Sequence, residues 1–237
     1  MRIGLVSFRC ENQNISFNMD QIERALRETE GKVDLLCFGE AFLQGFDSLC
    51  WNYEPDKKTA IERSSETISQ LCRWTAQYGT SLIVGYIEKD QDKLYSSCIV
   101  LSDGAIIHNY RRISKGWKEY TRTDDHYCEG TDTGSFRLQG VDMKIALCGD
   151  LWDFPERFRT DHLLIWPVYV NYSVEEWNSG ALNEYATQAT LAASDTLMVN
   201  PIDSCPVNHG GSFFMHDGRI VKRIPFDEER ILIVDVG

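Results

Sequence analysis

The sequence predicts a layered α/β fold whose sheets mix parallel and antiparallel strands. Strand-like and helix-like segments alternate through the first third of the chain, as in parallel strands joined by helices. Later segments contain pairs of alternating apolar runs joined by two-residue turns, which is typical of antiparallel hairpins. A purely parallel, doubly wound sheet has no need of such hairpins, so the two patterns together favour mixed sheets.

The first third of the chain contains three predicted strands and two predicted helices. RIGLVSF is the first strand, and the helix after it has apolar residues at helical spacing from Ile15 to Leu26, with Gly31 as its stop. VDLLCFGEAF is a short continuous apolar run, as expected of a strand buried on both faces. SSETISQLCRWTAQYG reads as a helix with a serine start and a glycine end, and SLIVGYIE as the third strand.

Three hairpins are predicted further along the chain, at Asp103-Gly104, Gln139-Gly140 and Asp217-Gly218. Between the second and third, HLLIWPVYV reads as a buried strand, VEEWNSGALNEYATQATLAAS as one long helix and DTLMVNP as the strand after it. ERILIVDVG is the last predicted strand. The length of 237 residues fits a single domain over residues 1–237.

Charge and hydropathy exclude several functional classes. The net charge of −12 repels a phosphate backbone, so no nucleic-acid partner is expected. No stretch reaches about 18 apolar residues, so no membrane association is expected and the protein is predicted to be soluble and cytoplasmic. The chain has no Gly-x-Ser-x-Gly elbow of a serine hydrolase and no Gly-x-Gly-x-x-Gly turn of a dinucleotide enzyme.

The eight cysteines do not form the pattern of a disulfide framework or of a metal site. Several lie inside apolar segments, no Cys-x-x-Cys pair occurs, and no export signal accompanies them. His126 and Cys128 have the nearest approach to metal-ligand spacing, but a zinc site needs further ligands. We therefore expect no metal and no cofactor.

Two chemically active side chains follow predicted buried strands. MKIALC places Cys148 at the end of one strand, directly before Gly149. Cys148 is then either a small buried core residue or a nucleophile held at a strand-to-turn corner. LLCFGEAF likewise places Glu40 at the end of another strand, where it is either solvated or a buried base. If the two strand ends are neighbours, Glu40 can act as general base for Cys148.

A cationic segment lies between these two residues in the chain. NYRRISKGWKEY contains four cations, Arg111, Arg112, Lys115 and Lys118. The segment is either a solvated basic loop or the source of a cation beside the thiol. Such a cation favours the thiolate and stabilises the oxyanion that forms when the thiol attacks a carbonyl carbon.

Together, these stretches resemble the nitrilase superfamily of carbon-nitrogen hydrolases over essentially the whole chain. FGEAFLQGF is similar to the glutamate segment of that family, NYRRISKGW to its lysine segment and KIALCGDLWDFPE to its nucleophile segment. LLIWPVYV, Trp177 and NEYATQATLAASDTLMVNP are similar to the segments that follow, and GGSFFMHDGRIV to the closing hairpin. Five segments in the same order make the resemblance specific.

The resemblance implies a four-layer α-β-β-α sandwich with two mixed β-sheets and a Glu-Lys-Cys triad. Carried over by position, Glu40 is the general base, Cys148 the nucleophile and the Gly149 N–H a second oxyanion donor. An acidic residue near Asp124 or Asp125 stands where many members have a supporting glutamate. Among the aromatic residues, Trp117, Trp152 and Tyr172 are either pocket residues that select substrate or ordinary packing.

The chain departs from the family pattern at several of these positions. The lysine position falls on Arg112, with Ser114 where a histidine usually stands, so the cation of the site is either Arg112 or Lys115. Gly149 stands where a large residue is common after the cysteine. The family's C-terminal tail, by which some members brace a dimer, has no counterpart after ILIVDVG, which leaves a homodimer open.

The predicted function is hydrolysis of a small linear amide or carbamoyl compound through a cysteine thioester, with release of ammonia or amine. Nitriles are the less common substrate class in the family. The rival hypothesis is a catalytically impaired nitrilase-fold protein that binds a small metabolite or partner. It is motivated by Arg112, since arginine hardly gives up its proton and reaches differently from lysine.

Overall fold

The computed structural model of the protein describes residues 1–236. Gly237, which belongs to the last predicted strand segment and to the predicted domain of residues 1–237, lies outside the described residues. The strands are β1 Arg2–Ser7, β2 Leu35–Cys37, β3 Ser81–Asp90, β4 Lys93–Ser102, β5 Ala105–Arg111, β6 Ser135–Leu138, β7 Val141–Ile145, β8 Leu163–Pro167, β9 Asp195–Val199, β10 Ile202–Ser204, β11 Val207–His209, β12 Phe213–His216, β13 Arg219–Arg223 and β14 Arg230–Asp235.

The helices lie between the strands and are mostly short. They are α1 Ile15–Glu28, α2 Tyr53–Thr59, α3 Glu66–Tyr78, α4 Asp150–Asp153, α5 Val174–Glu176 and α6 Leu182–Ala189, with a 3₁₀ turn at Pro155–Phe158 and a π-helical turn at Trp177–Ala181. Helix α3 begins and ends as predicted, because Ser65 accepts a hydrogen bond from the Ile68 N–H and Gly79 closes the helix in the left-handed conformation.

The strands form two six-stranded mixed sheets and a two-stranded ribbon. The first sheet has the order β14-β1-β2-β3-β4-β5 and the second the order β13-β12-β9-β8-β7-β6. In each sheet three central strands run parallel, β1-β2-β3 in one and β7-β8-β9 in the other. Their outer strands are antiparallel. This arrangement confirms the prediction of an α/β fold with mixed sheets.

The central strands of the first sheet are buried on both faces, as the apolar runs predicted. On one face Leu5 and Cys37 belong to the core that includes Trp166 of the second sheet. On the other face Leu36 packs with Leu26 and other residues of the outer helices. Successive residues of a strand point to opposite faces, so a strand between two layers must be apolar throughout. Helices α1 and α3 cover the first sheet, while α6 contributes Ala186 and Ala189 to the core of the second.

All three predicted hairpins are present at the predicted turns. Asp103-Gly104 joins β4 to β5, Gln139-Gly140 joins β6 to β7, and Asp217-Gly218 joins β12 to β13. Both residues of each turn have positive φ, between 45° and 85°. That pair of conformations defines the type I′ turn, which matches the twist of a hairpin and which glycine adopts without strain.

The prediction of one continuous long helix between β8 and β9 was wrong, because the segment is divided into shorter pieces. Helix α5 ends at Glu176, a π-helical turn follows, and α6 begins only at Leu182. Gly180 interrupts the regular winding with φ 163° and ψ −28°. Helix α2 and the β10-β11 ribbon were not predicted from the sequence. No helix within residues 1–236 has both the length and the apolar character that crossing a membrane requires.

Candidate active site

Glu40 lies three residues beyond β2, at a point where the two sheets approach each other. Its N–H donates to the Val168 carbonyl, which directly follows β8, at 3.2 Å. Gly85 of β3 makes room for this crossing, because a Cβ there would collide with the backbone of Gly39 and Glu40. The acidic side chain is therefore fixed between the sheets and is fully buried.

The two carboxylate oxygens of Glu40 have different surroundings. Oε1 accepts hydrogen bonds from Ser96 Oγ and from Arg112 Nη1, each at 2.8 Å. Oε2 is buried and accepts no hydrogen bond from any residue in the range 1–236. A buried carboxylate oxygen without a donor is costly, and such an atom is available to take a proton.

Cys148 lies three residues beyond β7 and at the same sheet edge as Val168. Its φ of +42° is in the left-handed region, which is uncommon for a residue other than glycine. Hydrogen bonds hold this conformation, since the Cys148 N–H donates to the Pro167 carbonyl at 3.0 Å and the Cys148 carbonyl accepts from Trp166 Nε1 at 2.9 Å. Sγ points to the Tyr169 carbonyl, 3.9 Å away.

The electrostatic environment keeps the Cys148 thiol protonated at neutral pH. Burial raises its pKa, the negative charge of Glu40 raises it further, and the positive charge of Arg112 lowers it, with a net pKa of about 12. A neutral thiol is a weak nucleophile, so attack requires a base that removes the proton as the bond forms. Glu40 is the carboxylate whose charge acts on the thiol.

Arg112, rather than Lys115, is the cation that contacts Glu40. Arg112 directly follows β5 and is 3% exposed, and its Nε donates to Ser114 Oγ at 2.7 Å. Lys115 is exposed, and its side chain forms no hydrogen bond or ion pair within the described part of the chain. Lys118 pairs with Glu129 at 2.7 Å. The basic segment thus supplies one buried cation, and the remainder is solvated or paired elsewhere.

Asp150 joins the loop of Arg112 to the loop of Cys148, a role that the sequence analysis missed. Oδ1 accepts from the N–H groups of Ile113 and Ser114 at 3.1 and 2.8 Å. Oδ2 accepts from the Leu147 N–H at 2.8 Å and from the Tyr110 hydroxyl. Burial raises the pKa of Asp150 despite these donors and the charge of Arg112. The Cys-x-Asp spacing was the available signal.

The other predicted site residues lie in three different settings. Gly149 is partly buried against the Arg112 side chain. Trp152 is 41% exposed and packs edge-on against Tyr185, with ring centroids 5.0 Å apart. Asp125 is exposed, and no hydrogen bond or ion pair in residues 1–236 joins it to Glu40, Arg112 or Cys148. Gly149 therefore adjoins the Glu40 cluster, whereas Asp125 does not contact it.

His126 and Cys128, the pair with metal-like spacing, have other contacts. The His126 ring stacks on Tyr53 and pairs with Asp124 at 2.9 Å, and Cys128 Sγ donates to the Asp125 carbonyl. Over residues 1–236, no cluster of three or more histidine, cysteine or acidic side chains has an arrangement suited to a metal ion.

A comparison of the whole sequence with known families finds one that covers almost the entire chain. The pattern of the carbon-nitrogen hydrolase family matches residues 3–237. The chain belongs to the carbon-nitrogen hydrolase family, also called the nitrilase superfamily. The resemblance drawn from the five segments is thereby confirmed.

Individual relatives of this carbon-nitrogen hydrolase are distant. It is 24% identical to the glutamine-dependent NAD(+) synthetase of Thermotoga maritima over its full length, but spans only 42% of that protein. It is also 24% identical to an arylacetonitrilase of Aspergillus niger, with 92% of this chain and 75% of the relative covered.

Solved structures share the fold of this hydrolase at low sequence identity. An amidase from a Nesterenkonia species superposes with a TM-score of 0.80 and 18% identity, over 100% of this chain and 90% of that one. A variant of that amidase carries acrylamide added to its active-site cysteine.

Proposed function

We propose that residues 1–237 act as a single hydrolase domain that cleaves a non-peptide carbon-nitrogen bond in a small linear amide or carbamoyl compound. The observation that supports this most directly is the asymmetry of Glu40. Oε1 is held by Ser96 and Arg112, while the buried Oε2 has no hydrogen-bond donor among residues 1–236. A base oriented in this way beside a protonated thiol suits nucleophilic catalysis.

The proposed reaction begins with the neutral thiol and the Glu40 carboxylate. Cys148 Sγ attacks the amide carbon as Glu40 takes the thiol proton, and a tetrahedral oxyanion forms. Glu40 then returns the proton to the nitrogen, the carbon-nitrogen bond breaks, and ammonia or amine leaves a thioester. Water, deprotonated by Glu40, attacks the thioester, and the carboxylic acid departs as Cys148 regains its proton.

Arg112 and Gly149 are proposed to stabilise the oxyanion. Arg112 is buried beside Glu40, and its charge opposes the rise in the pKa of Cys148. Its guanidinium stays protonated throughout, so it acts by charge and hydrogen bonding and not by proton transfer. We assign the cation to Arg112 and not to the exposed Lys115. Trp152 is assigned to the substrate entrance, and Asp125 receives no role.

The proton inventory of the site suits an amide and would equally suit a nitrile, because thiol addition to a nitrile also moves one proton to the nitrogen. The nitrogen of an amide departs as a base that needs one proton, and Glu40 supplies it after taking it from the thiol. The named relatives include an amidase and an arylacetonitrilase, so both substrate classes belong in the test. Since the chain spans 42% of the Thermotoga maritima protein, that protein's overall activity is not transferred.

A second candidate is a nitrilase-fold protein that binds a small metabolite or partner without turnover. It is favoured by the raised pKa of Cys148, about 12, together with a cation that cannot donate its proton. It predicts slow alkylation of Cys148, no faster than that of a free thiol.

Ammonia release from a panel of short ω-amides, carbamoyl amino acids and aliphatic nitriles distinguishes the two candidates. The proposed function predicts release with at least one amide or carbamoyl compound and none from the Cys148→Ala variant. Absence of release across the panel, with Cys148 no more reactive to alkylation than exposed Cys205, would favour the binding protein.

A further inference from the structure

The guanidinium of Arg112 lies in a small enclosure formed by Ser114, Gly116 and Gly149. Ser114 Oγ accepts from Nε at 2.7 Å. A Cβ added to Gly116 would lie 3.3 Å from Nη2, and a Cβ added to Gly149 would collide with Nη2 and lie 3.2 Å from Ser114 Oγ. The two glycines thus leave the volume that the branched arginine head occupies. We call these three residues the arginine enclosure.

The glycine at position 149 is not needed for its backbone conformation. Its φ of −64° and ψ of −10° are accessible to every L-residue. The obstacle to a larger residue is therefore the Arg112 side chain itself. Because the guanidinium is planar and rigid, the loss of this space would move all three nitrogens together.

The enclosure also orients the one terminal nitrogen that has no partner. Nη1 is bound to Glu40 and Nε to Ser114, while Nη2 has no acceptor in the part of the chain that the structure describes. Nη2 packs against Gly149, the residue that follows Cys148. Its N–H groups are therefore free to donate to an oxygen that develops negative charge beside the thiol.

We propose that Ser114, Gly116 and Gly149 are positioning residues that adapt this site to arginine as its permanent cation. The inference rests on the proposed role of Cys148 as nucleophile. On this proposal, arginine at position 112 is a working part of the site and not a sign of impaired catalysis. Gly149 is also expected to matter for Cys148 reactivity only while arginine stands at position 112.

A double-mutant cycle tests this dependence without a known substrate. Iodoacetamide alkylates Cys148 when Sγ displaces iodide and Glu40 takes the thiol proton, and mass spectrometry of the Cys148 peptide gives the rate separately from the other cysteines. Gly149→Ala is expected to slow alkylation about tenfold in the wild-type background, since a displaced Arg112 no longer lowers the pKa of Cys148. In the Arg112→Lys background, which lacks Nη2, the same change is expected to slow alkylation less than about twofold.

Gly116→Ala provides a milder second variant, because its Cβ meets Nη2 without collision. Gly134→Ala is its matched control: a Cβ there also lies 3.3 Å from the end of a polar side chain, that of Asp132. Gly116→Ala is expected to slow Cys148 alkylation and Gly134→Ala to leave it unchanged. Thermal unfolding of each variant identifies any that fails to fold.

Three results would overturn the proposal, and they are distinguishable from one another. Equal slowing by Gly149→Ala in both backgrounds would mean that Gly149 acts through its own backbone. A wild-type Cys148 that alkylates no faster than Cys205, with no change in Arg112→Met, would overturn the proposed function along with the enclosure. Rapid, Arg112-dependent alkylation that Gly149→Ala does not alter would overturn the enclosure alone.

Discussion

Asp150 Oδ1 accepts a 2.8 Å hydrogen bond from the Ser114 N–H, and this contact joins the loop after β5 to the loop after β7. The same carboxylate accepts from the Leu147 N–H, directly before Cys148. Ser114 in turn holds Arg112. The distance between the cation and the nucleophile therefore depends on a carboxylate that is fully buried and forms no hydrogen bond with the Cys148 side chain.

Replacement of Asp150 by asparagine is expected to destabilise the protein and to lower the reactivity of Cys148. The asparagine NH₂ group would face backbone N–H donors, leaving buried donors unpaired. We expect a loss of about 2–4 kcal/mol in the free energy of unfolding, measured by urea denaturation. Asp161→Asn, at an exposed position, is the control and is expected to change it by less than about 0.5 kcal/mol. Equal effects of the two changes would contradict this role.

Two adjacent serines of β4 provide a matched test of the Glu40 geometry. Ser96 donates to Glu40, whereas Ser97 donates to Glu88 at 2.6 Å, and both serines are buried. Ser96→Ala is expected to lower kcat about tenfold, since the base loses a donor that orients it. Ser97→Ala is expected to lower stability without a comparable fall in kcat. The result opposed to this account is an equal loss of kcat in both variants, measured by ammonia release.

Two buried tryptophans pack on Tyr185, and only one of them donates a hydrogen bond to Cys148. Replacing each in turn therefore distinguishes the effect of that hydrogen bond from the effect of packing. Both ring centroids lie 5.2 Å from that of Tyr185. Trp166 Nε1 donates to the Cys148 carbonyl, but Trp177 Nε1 has no partner in residues 1–236. Trp166→Phe is expected to lower kcat about tenfold with little change in KM, because the strained corner loses a support. Trp177→Phe is expected to leave kcat within about threefold, and a similar fall in both would contradict the assignment.

Glu88 is expected to govern part of the stability at acid pH. Burial by itself raises its pKa, but the hydrogen bonds from Arg111, Ser97 and Asn109 outweigh burial and hold the pKa below its ordinary value. The folded state therefore favours the ionised form, and its contribution to stability is present above about pH 4.3 and is lost as the pH falls through the lowered pKa.

Glu88→Gln tests this contribution. It is expected to cost about 3 kcal/mol near pH 7, where the arginines lose their buried partner. The difference from the wild type is expected to shrink as the pH falls below about 4, because the unfolded chain then binds a proton at Glu88 that the folded state takes up only at lower pH. Glu66→Gln, at an exposed position, is the control. A difference that stays constant from pH 7 to pH 3 would contradict the lowered pKa.

Local patterns were sufficient to predict much of the fold. The Asp-Gly and Gln-Gly turns determine their hairpins through the backbone conformations of two residues, and the apolar runs identify strands buried on both faces. The long helix after β8 could not be delimited in the same way. Its residues alternate regular and π-helical turns around Gly180, and the packing of Trp177 against Tyr185 and Phe226 depends on distant segments.

The sequence predicted the reactive residues that directly follow strands, but it did not predict which of the basic side chains enters the site. Glu40 and Cys148 each lie three residues past a parallel strand, but the two strands belong to different sheets, so their proximity depends on how the sheets pack together. The choice between Arg112 and Lys115 depends on which side chain turns inward, and that is decided by the contact with Glu40, which is distant in the chain, together with the nearby Ser114. Gly149 and Ser114 were visible as unusual residues, but their common partner was not.

The most direct test of the central claim is the mass of the Cys148 peptide during turnover of an amide from the panel, after rapid acid quenching. We predict a covalent mass increment on Cys148 equal to the mass of the amide less that of ammonia. Both the increment and ammonia release are expected to be lost in Cys148→Ala. Ammonia release from Cys148→Ala at the wild-type rate would contradict a thioester at this residue and with it the proposed mechanism.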